Sequence, residues 1–470
     1  MKFIKNSIFP KITIVIPWIF AVIWSVLLWK LLNNNETRTF LRTIDPANIE
    51  KREASIEKTD LTGIFNKYDG SFSDELKESW PGFRGKAHDN ISRENGIISR
   101  LNKSNIKLLW EISLGEGYAG AAIAHGAAYI LDYNSAMRQD QLRVFSMDNG
   151  KEIWRRAYKV SIKRNHGMSR TVPAVSGNYC VTIGPKCHVM CVNAKNGDFL
   201  WGIDLAKEYK SEVPLWYTGQ CPLLDNELAI IAPGGDALLI GVELKTGKIR
   251  WKTPNPQKYV MSHASVIPMN INNKKVYTWC AGGAFIGTDE NGTLLWETTL
   301  WNHKVVSPSA VQFSANKIIL TAGYGAGSAI FIINRDFSIN RLAEIPKSVF
   351  ACEQHTPVFY NNHLFTVNPA DSGASRKQLI CMDTGGKVRW TSGEYRFGLG
   401  PFFTVDDKIF VLDDNGILTM VSADPVNFNI LGQAKILDGR EAWAPMALAG
   451  GRLLVRDFTM MRCYDIKEKK

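Results

Sequence analysis

A short motif recurs along this chain at intervals of about 47 residues, and it constrains the fold more than any other feature. In each copy an Asn-Gly, Thr-Gly or Gly-Gly pair is followed, after three residues, by a Trp. The copies lie at 146–154, 193–201, 243–251, 288–296 and 382–390. The Gly pair is typical of a tight β-turn with positive φ. Because one such unit cannot bury its own apolar face, the repeat predicts sheets stacked around an axis.

The spacing of the Trp residues predicts the number of sheets. Trp110 lies in a similar strand context, and the intervals from it to Trp296 are 44, 47, 50 and 45 residues. The interval from Trp296 to Trp390 is 94 residues, or two periods, so a degenerate unit with Leu342 at the Trp position is expected between them. A second degenerate unit would place Leu431 at that position. The sequence therefore predicts an all-β, eight-bladed β-propeller.

The two ends of the propeller are predicted to meet in one blade. Trp110 has no Gly turn in front of it, and the C-terminal segment with Tyr464 and Asp465 matches its missing partner strand. Pairing of these N- and C-terminal strands would close the last blade and leave no open edge. Residues 80–470 are therefore predicted to form one propeller domain.

The N-terminal region has a different composition. Residues 12–29 are uncharged and mostly apolar, which is close to the ~20 residues that a transmembrane helix needs. Three Lys residues precede them and favour a cytoplasmic N-terminus. Residues 1–32 are therefore predicted to be an uncleaved signal anchor, with a cleaved signal peptide as the alternative. Residues 33–79 are polar and charged, which predicts a tether.

Charge and cysteine content argue against several classes of protein. The formal net charge is +11, but no Lys/Arg run with interleaved aromatic residues follows the anchor, so nucleic-acid binding is not predicted. The eight Cys residues include no C-x-x-C pair and no haem attachment motif. Most lie in predicted strands and are expected to be free and buried. Cys187 and Cys191 flank one strand and would be too far apart to form a disulfide.

Several stretches resemble the pyrroloquinoline-quinone-like (PQQ-like) β-propeller family. They are "WPGFRGKAHDNIS" at 80–92, "GEGYAGAAIAHGAAYIL" at 115–131 and "APGGDALLIGVELKTGKIRW" at 232–251. The resemblance covers residues 80–466. This family includes quinoprotein alcohol dehydrogenases, which hold PQQ and calcium at the propeller axis. It also includes propellers without a cofactor, such as the lipoprotein scaffold of the outer-membrane assembly machinery, so the resemblance implies the fold and leaves two functions open.

The axis is where a ligand would bind, because the connectors entering the innermost strands converge there. PQQ is a flat tricarboxylate, which needs cationic partners, an aromatic floor and oxygen ligands for calcium. The candidate cofactor-binding residues in the connectors are Glu116, Arg170, Trp216, Lys304, Glu353, Arg396, Arg440 and Trp443. Four His residues in equivalent connectors are candidate ligands for zinc, copper or nickel: His166, His263, His303 and His355. Against a metal site, side chains from separate blades commonly point into a wet channel without meeting.

The sequence lacks features that catalysis by this family would need. No two Cys residues are adjacent, so the vicinal disulfide that packs on PQQ in many quinoprotein alcohol dehydrogenases is absent. No haem motif provides an exit for electrons, and no Asp is placed as a catalytic base, so no catalytic residue is assigned. We therefore expect a scaffold or ligand-binding module without a cofactor. The alternative is a PQQ- and calcium-dependent alcohol dehydrogenase that passes electrons to a separate acceptor.

The expected location follows from the anchor. Residues 12–29 would cross a bacterial cytoplasmic membrane once, and the propeller would lie on the periplasmic or extracellular side. A propeller exposes two broad faces of loops on a rigid body, which suits protein partners. The expected partners are the lipid bilayer and an envelope protein.

Overall fold

The computed structural model describes residues 59–163 and 168–468, together with Val22 and residues 24–26. The chain divides into two compact units, Met1–Glu57 and Lys58–Lys470. In the part of the chain that is described, no helix is long and apolar enough to span a bilayer. The predicted span at 12–29 lies almost entirely outside the described residues.

The second unit consists of eight separate sheets, each with four antiparallel strands at its core. Blades 1 to 4 contain β4 (Ala122–Ala124), β5 (Ala127–Asn134), β6 (Gln139–Ser146) and β7 (Glu152–Lys159); β8 (Ala174–Ser176), β9 (Tyr179–Ile183), β10 (His188–Asn193) and β11 (Phe199–Asp204); β12 (Leu223–Asp225), β13 (Leu228–Ile231), β14 (Ala237–Glu243) and β15 (Ile249–Pro254); and β16 (Ile267–Ile271), β17 (Lys274–Ala281), β18 (Ala284–Asp289) and β19 (Leu294–Thr298). Within blades 1 to 7 the four strands pair in chain order, from the innermost to the outermost.

Blades 5 to 8 complete the ring. They contain β20 (Val311–Gln312), β21 (Lys317–Ala322), β22 (Gly327–Ile333) and β23 (Ile339–Ile345); β24 (Val358–Tyr360), β25 (His363–Val367), β26 (Leu379–Asp383) and β27 (Val388–Thr391); β28 (Phe402–Val405), β29 (Lys408–Leu412), β30 (Ile417–Ser422) and β31 (Ile430–Lys435); and β32 (Ala447–Ala449), β33 (Arg452–Arg456), β34 (Met460–Asp465) and β3 (Lys107–Ser113). Among the described residues of the propeller, two short helical segments interrupt the strands: helix α1 (Leu205–Glu208) and a 3-10 turn (Gly373–Ser375).

The two chain ends close blade 8, as the sequence predicts. Strand β3 pairs antiparallel with β34, from Lys107 opposite Asp465 to Ser113 opposite Met460. Trp110 lies opposite Cys463 in this pair. The prediction of an eight-bladed propeller whose last blade is built from both ends of the chain is therefore confirmed.

Two further strands join the blades from outside the repeat. Strand β1 (Ile64–Lys67) pairs with the outer edge of β7, and β2 (Ile91–Ser92) pairs in parallel with the innermost strand β28. Leu61 and Leu76, on either side of β1, are buried. The sequence places a tether over 33–79, but the described part of that stretch packs on the propeller, because β1 pairs with the edge of blade 1 and Leu61 and Leu76 are buried in the apolar core.

Each recurrent Trp lies on the outermost strand of its blade and packs on the turn that precedes the outermost strand of the next blade. This turn carries a Gly where Trp154, Trp201 and Trp251 dock, whereas Trp296 stacks on Phe337 and Trp390 contacts Phe428. Trp201, for example, is 7% exposed, and its Nε1 donates to the carbonyl of Leu244 at 2.8 Å. A Cβ on Gly247, which has a φ of 71°, would lie 2.6 Å from this indole. The Gly turn therefore provides both the positive φ and the flat surface on which the indole is buried.

The register corrects the two degenerate positions. In blades with a Trp, the residue before the Trp is an unpaired bulge. In β23 the bulge residue is Leu342, and Ala343 takes the Trp position opposite Ile330. In β31 the bulge residue is Leu431, and Gly432 takes the Trp position. Assignment of Leu342 and Leu431 to the Trp position was therefore wrong by one residue, because the length of a repeat does not determine strand register.

All eight Cys residues are free and buried, as predicted. Cys191, Cys381 and Cys463 lie directly opposite the docking Trp residues of their blades. A small apolar side chain at this position leaves room for the indole, which explains their placement by packing.

Candidate functional site at the propeller axis

The N-terminal segment 80–92 crosses the axial channel. Trp80 exchanges backbone hydrogen bonds with Ile123 of β4, at 2.9 and 2.8 Å, and the carbonyl of Pro81 accepts from Val175 of β8. The segment then reaches blades 6 and 7 on the other side, where Ile91 pairs with Thr404 of β28. These contacts link the innermost strands of blades 1, 2 and 7, so the segment is a plug across the channel.

Arg84 fixes this plug to blade 6. It is 5% exposed, and its guanidinium donates to the carbonyls of Thr356 at 2.9 Å and Pro357 at 3.0 Å. The same side chain donates to the carbonyl of His88 at 2.9 Å. Burial lowers the pKa of Arg84 to about 10, so the side chain is charged at neutral pH and binds carbonyl groups that would otherwise lack a donor.

A ring of aromatic and charged side chains surrounds the axis where the connectors enter the innermost strands. We call it the axial cluster: Tyr118, Arg170, Trp216, Tyr324, Glu353, Lys377, Asp414, Glu441 and Trp443. Its members come from eight different stretches of sequence. They meet because the propeller converges its connectors and loops at one end of the axis.

The aromatic half of the axial cluster is joined by Arg170. The guanidinium of Arg170 lies 5.2 Å from the ring centre of Tyr118, and its Nε donates to the carbonyl of Trp216. The Trp216 ring stacks on Tyr324, with centroids 5.8 Å apart and planes 12° apart. The ring centroids of Tyr118 and Trp443 lie 5.1 Å apart. Loss of contact with solvent lowers the pKa of Arg170 to about 10, so the side chain remains a cation at neutral pH.

The acidic half is organised by Asp414. Its carboxylate accepts from Trp443 Nε1 at 2.7 Å and lies 3.3 Å from the Nζ of Lys377. Burial, followed by the nearby charge of Asp371, raises the pKa of Glu353 to about 7. The two halves meet at Trp443 and Tyr118, whose hydroxyl donates to Glu441. Side chains of opposite charge and aromatic rings thus hold one another in place around the axis.

The structure brings together about half of the predicted cofactor-binding residues. Arg170, Trp216, Glu353 and Trp443 belong to the axial cluster, and half-buried Glu116 lies near Tyr118. Three others are exposed: Lys304, Arg396 and Arg440. Arg396 donates to the backbone carbonyls of Gly393 and Ala374 on its own rim.

The predicted metal ligands lie in separate environments. Each of the three described His rings lies beside a different aromatic ring. The distances between ring centroids are 5.9 Å for His263 and Trp216, 4.4 Å for His303 and Trp301, and 6.4 Å for His355 and Phe402. Burial, with Arg170 nearby, lowers the pKa of His263 to about 3. The fourth, His166, lies outside the described residues. Over residues 59–163 and 168–468 no three His, Cys, Asp or Glu side chains form a metal-binding group, so the four-His site stays a prediction.

The described residues do not fit PQQ and calcium. One face of Trp216 is covered by Tyr324, and Arg170 is held by Trp216 and Tyr118, so neither is arranged around a flat ligand. Arg396, Arg440 and Lys304 do not join Arg170 to form the cationic bracket that three carboxylates need. The described carboxylates likewise form no three-residue set for calcium.

Sequence reasoning missed the loops between the second and third strands of the blades. Tyr324, Lys377 and Asp414 lie on such loops in blades 5, 6 and 7. In an up-and-down sheet, alternate turns lie at the same end, so these loops open beside the connectors. A search of the sequence that included the turns at the connector end of each blade would have found these three residues. Tyr324 lies in the Gly-rich stretch 322–329, where its positive φ of 55° turns the loop.

A buried carboxyl group lies away from the axis, between blades 1 and 2. Asp140 is fully buried, and it accepts from the hydroxyl of Tyr158 at 2.9 Å and from Ser169 at 3.4 Å. Burial raises the pKa of Asp140 to about 7. A Cβ on Gly184 would lie 1.9 Å from the Tyr158 hydroxyl. This contact joins the two blades through a polar group with little room for substitution.

These features define an eight-bladed β-propeller with a plugged channel and a polar, aromatic cluster at one end of its axis. A family model described as outer membrane protein assembly factor BamB matches residues 91–212 and 138–334. Together the two matches span just over half of the chain. The chain belongs to the PQQ-like β-propeller family, as its repeats indicate.

Solved structures from both functional branches of the family are similar to this chain. BamB from Moraxella catarrhalis is 11% identical, with a TM-score of 0.50, and the match covers 77% of this chain and 99% of that one. Quinohemoprotein alcohol dehydrogenases from Comamonas testosteroni and Pseudomonas putida HK5 are 13% and 10% identical, with TM-scores of 0.59 and 0.58. Each of these two matches covers 83% of this chain and 81% of the enzyme. No curated protein matches the sequence. These identities show the fold alone.

Proposed function

We propose that this protein is a membrane-anchored scaffold that binds an envelope protein outside the cytoplasm. The observation that carries the proposal is the axial cluster, whose side chains bind one another above a plugged channel. A cluster of this kind presents a fixed surface and does not enclose a small molecule. The match to the family model described as outer membrane protein assembly factor BamB supports a protein partner in the envelope.

The exposed part of the axial cluster has the composition of a binding surface. Tyr324 is 56% exposed, and its neighbour Trp216 is half-buried beside Arg170. Tyr, Trp and Arg are the residues most often found at the energetic centres of protein interfaces. Stacking and the cation–π contact fix these side chains before a partner arrives, which lowers the entropy cost of binding.

The proposed location is a bacterial cytoplasmic membrane, with residues 12–29 as a single span. The apolar composition of this segment and the Lys residues before it support the proposal. The propeller would then lie on the periplasmic or extracellular side. There the axial cluster is available to proteins of the envelope.

Site-specific photo-crosslinking in intact cells tests the scaffold proposal. A photoreactive residue replaces Tyr324 in the axial cluster or, as the matched control, Tyr395, which is 46% exposed on the rim. We expect a discrete protein adduct from position 324 that is at least about tenfold weaker from position 395. Trp216→Ala should reduce the adduct at 324. Equal adducts at the two positions, or none at 324, would overturn the proposal.

The alternative is a PQQ-dependent dehydrogenase, and one observation favours it. Arg170, Trp216, Glu353 and Trp443 lie around the axis, where PQQ would bind, although the contacts of Trp216 and Arg170 with their neighbours do not fit it. Purified full-length protein is titrated with PQQ and calcium while its absorbance is followed, and an alcohol with an artificial dye is then added. A stoichiometric chromophore with dye reduction would establish the enzyme, and the absence of both would exclude it.

A further inference from the structure

The junction between blades 5 and 6 lacks the indole that fills the equivalent junctions elsewhere. Ala343 takes the Trp position in β23, and its neighbour Leu342 is 50% exposed. We call the resulting depression the blade 5 notch. It is bounded by Leu342, Ala343, Ile345, Gly386 and Val388. The junctions after blades 1, 2, 3, 4, 6 and 8 each contain a Trp.

The Gly turn of blade 6 shows that the space is open. A Cβ on Gly247 would lie 2.6 Å from the indole of Trp201, and one on Gly292 would lie 2.3 Å from the indole of Trp251. A Cβ on Gly386, the equivalent residue in blade 6, would meet Ile345 Cδ1 at 3.9 Å as its nearest neighbour. The surface on which an indole docks is therefore present, and the docking side chain is absent.

Strand β23 is also the exposed edge of its sheet. It pairs with β22 on one side, and its residues from Asn340 to Glu344 are all exposed. Ile330, opposite Ala343, is 5% exposed and packs in one apolar cluster with Ile345 and Ile380, so the core beneath the notch is apolar. A groove of about 380 Å³ lined by Trp296 and Phe337 borders the start of the same strand. An edge with unpaired backbone groups next to an apolar depression is a template for another strand.

The chain itself covers two other outer strands with extended segments. In blade 7, where Gly432 takes the Trp position, Leu101 forms a parallel bridge with it and is 2% exposed. The amide of Leu101 donates to the carbonyl of Leu431 at 3.2 Å. In blade 1, strand β1 pairs with the outer edge of β7. Of the two blades without an indole, blade 7 is thus covered by an extended segment with an apolar side chain, and blade 5 has no such cover among the described residues.

We propose that the blade 5 notch binds an extended segment of a partner protein. The segment adds to β23 as a further strand and places an aromatic or large aliphatic side chain between Ala343 and Gly386. Backbone hydrogen bonds to the edge supply affinity, and the notch selects the side chain. The inference rests on the proposed scaffold function, since it names a second contact for a protein partner. The blade 7 arrangement, made within one chain, is the geometry that the partner segment would reproduce.

A peptide titration with full-length protein in detergent tests the proposal. The probe is a labelled peptide with the sequence of β3, KLLWEIS, and its counterpart has Ala in place of the Trp. Fluorescence anisotropy should show saturable binding of the first peptide, with the second at least about tenfold weaker. The double variant Ile330→Gly/Ala343→Trp, which copies the Gly287 and Trp296 pair of blade 4, should lose binding while retaining its circular dichroism spectrum. No saturable binding, or equal binding by the double variant, overturns the proposal.

A matched control and a second measurement exclude other occupants. Leu200 has the same bulge position in blade 2 that Leu342 has in blade 5, but it lies beside a docked Trp. Leu342→Asp should weaken peptide binding, and Leu200→Asp should leave it unchanged. Sedimentation that shows self-association abolished by the double variant would assign the notch to a second copy and overturn the proposal. Because the peptide assay uses neither the axial cluster nor a cellular partner, its failure leaves the crosslinking result at Tyr324 intact.

Discussion

At the scale of single residues, the packing of each blade depends on a pair of positions whose volumes are matched. A docking Trp lies opposite Cys, Gly or Val on the third strand, as in the pair Gly241 and Trp251. In the two blades without a Trp the sizes are exchanged, so Ile330 faces Ala343 and Met420 faces Gly432. Close packing within a blade requires this exchange, because a large residue on both strands would clash. Ile330 fills the space over its own sheet but does not reach the turn of blade 6, where a Cβ on Gly386 would meet only Ile345 within 4 Å.

Asp140 gives a prediction at this scale. Its pKa is raised from 3.8 to about 7 in the folded protein, mainly by burial. Between these pH values the folded state holds a proton that the unfolded state has released, so the free energy of unfolding decreases as the pH rises from about 4 to about 7. Asp140→Asn should reduce this decrease by on the order of a few kcal/mol, measured by urea unfolding across the pH range.

Two comparisons complete the Asp140 experiment. Glu353, whose pKa is also raised to about 7 by burial, contributes in the same direction, so part of the pH dependence should remain in the Asn variant. Asp69→Asn, which changes an exposed carboxyl, should leave the pH dependence in place. An Asn variant with the full wild-type slope would show that Asp140 does not hold a proton in the folded state.

At the scale of elements, the junction between blades is the unit of stability. At six junctions an outer strand contributes one indole, and at four of these the next blade contributes a Gly turn with positive φ, so each blade buries part of its neighbour. This explains why the motif in the sequence joins a turn to a Trp: the turn receives the indole of the preceding blade, and the Trp docks on the blade that follows.

Trp201→Ala should destabilise the propeller by about 3–5 kcal/mol, because it removes a buried indole and leaves a cavity on Gly247. Leu342→Ala, at an exposed bulge, should cost less than about 1 kcal/mol. Denaturant midpoints measured under the same conditions compare the two. Equal losses of stability would mean that the outer strands are not held by indole docking.

At the scale of the whole molecule, closure of the ring by β3 and β34 determines whether the blades form one cooperative structure. These two strands exchange six residue pairs between the two ends of the propeller. A propeller that is open at one junction would expose the edges of blades 7 and 1 and lose contacts on both sides of the gap.

Deletion of residues 459–470 removes β34 and leaves β3 without a partner. We expect loss of a single cooperative thermal transition, followed by circular dichroism, together with aggregation through the exposed edges. Deletion of residues 469–470 is the control and should leave the transition unchanged. A truncated protein that melts as sharply as the full chain would contradict closure through β34.

Much of the fold could be predicted from the sequence, because the repeated motif reports local chemistry. The Gly turns require positive φ at fixed positions, as at Gly150 with a φ of 71°, and the Trp intervals give the number of blades. The candidate site was predicted in part. Arg170, Trp216, Glu353 and Trp443 were found because the connectors converge, whereas Tyr324 and Asp414 were missed because they lie on the alternate loops.

What the sequence by itself determined was the repeat, the blade number and the pairing of the two chain ends, since these follow from turn chemistry and side-chain periodicity. The tertiary structure alone decided the register in the two degenerate blades, the plug held by Arg84 and the mutual contacts of the axial cluster. These depend on which residues from distant parts of the chain meet across the axis. Neither spacing nor composition encodes such meetings, because strand register and loop direction are settled by packing among all eight blades.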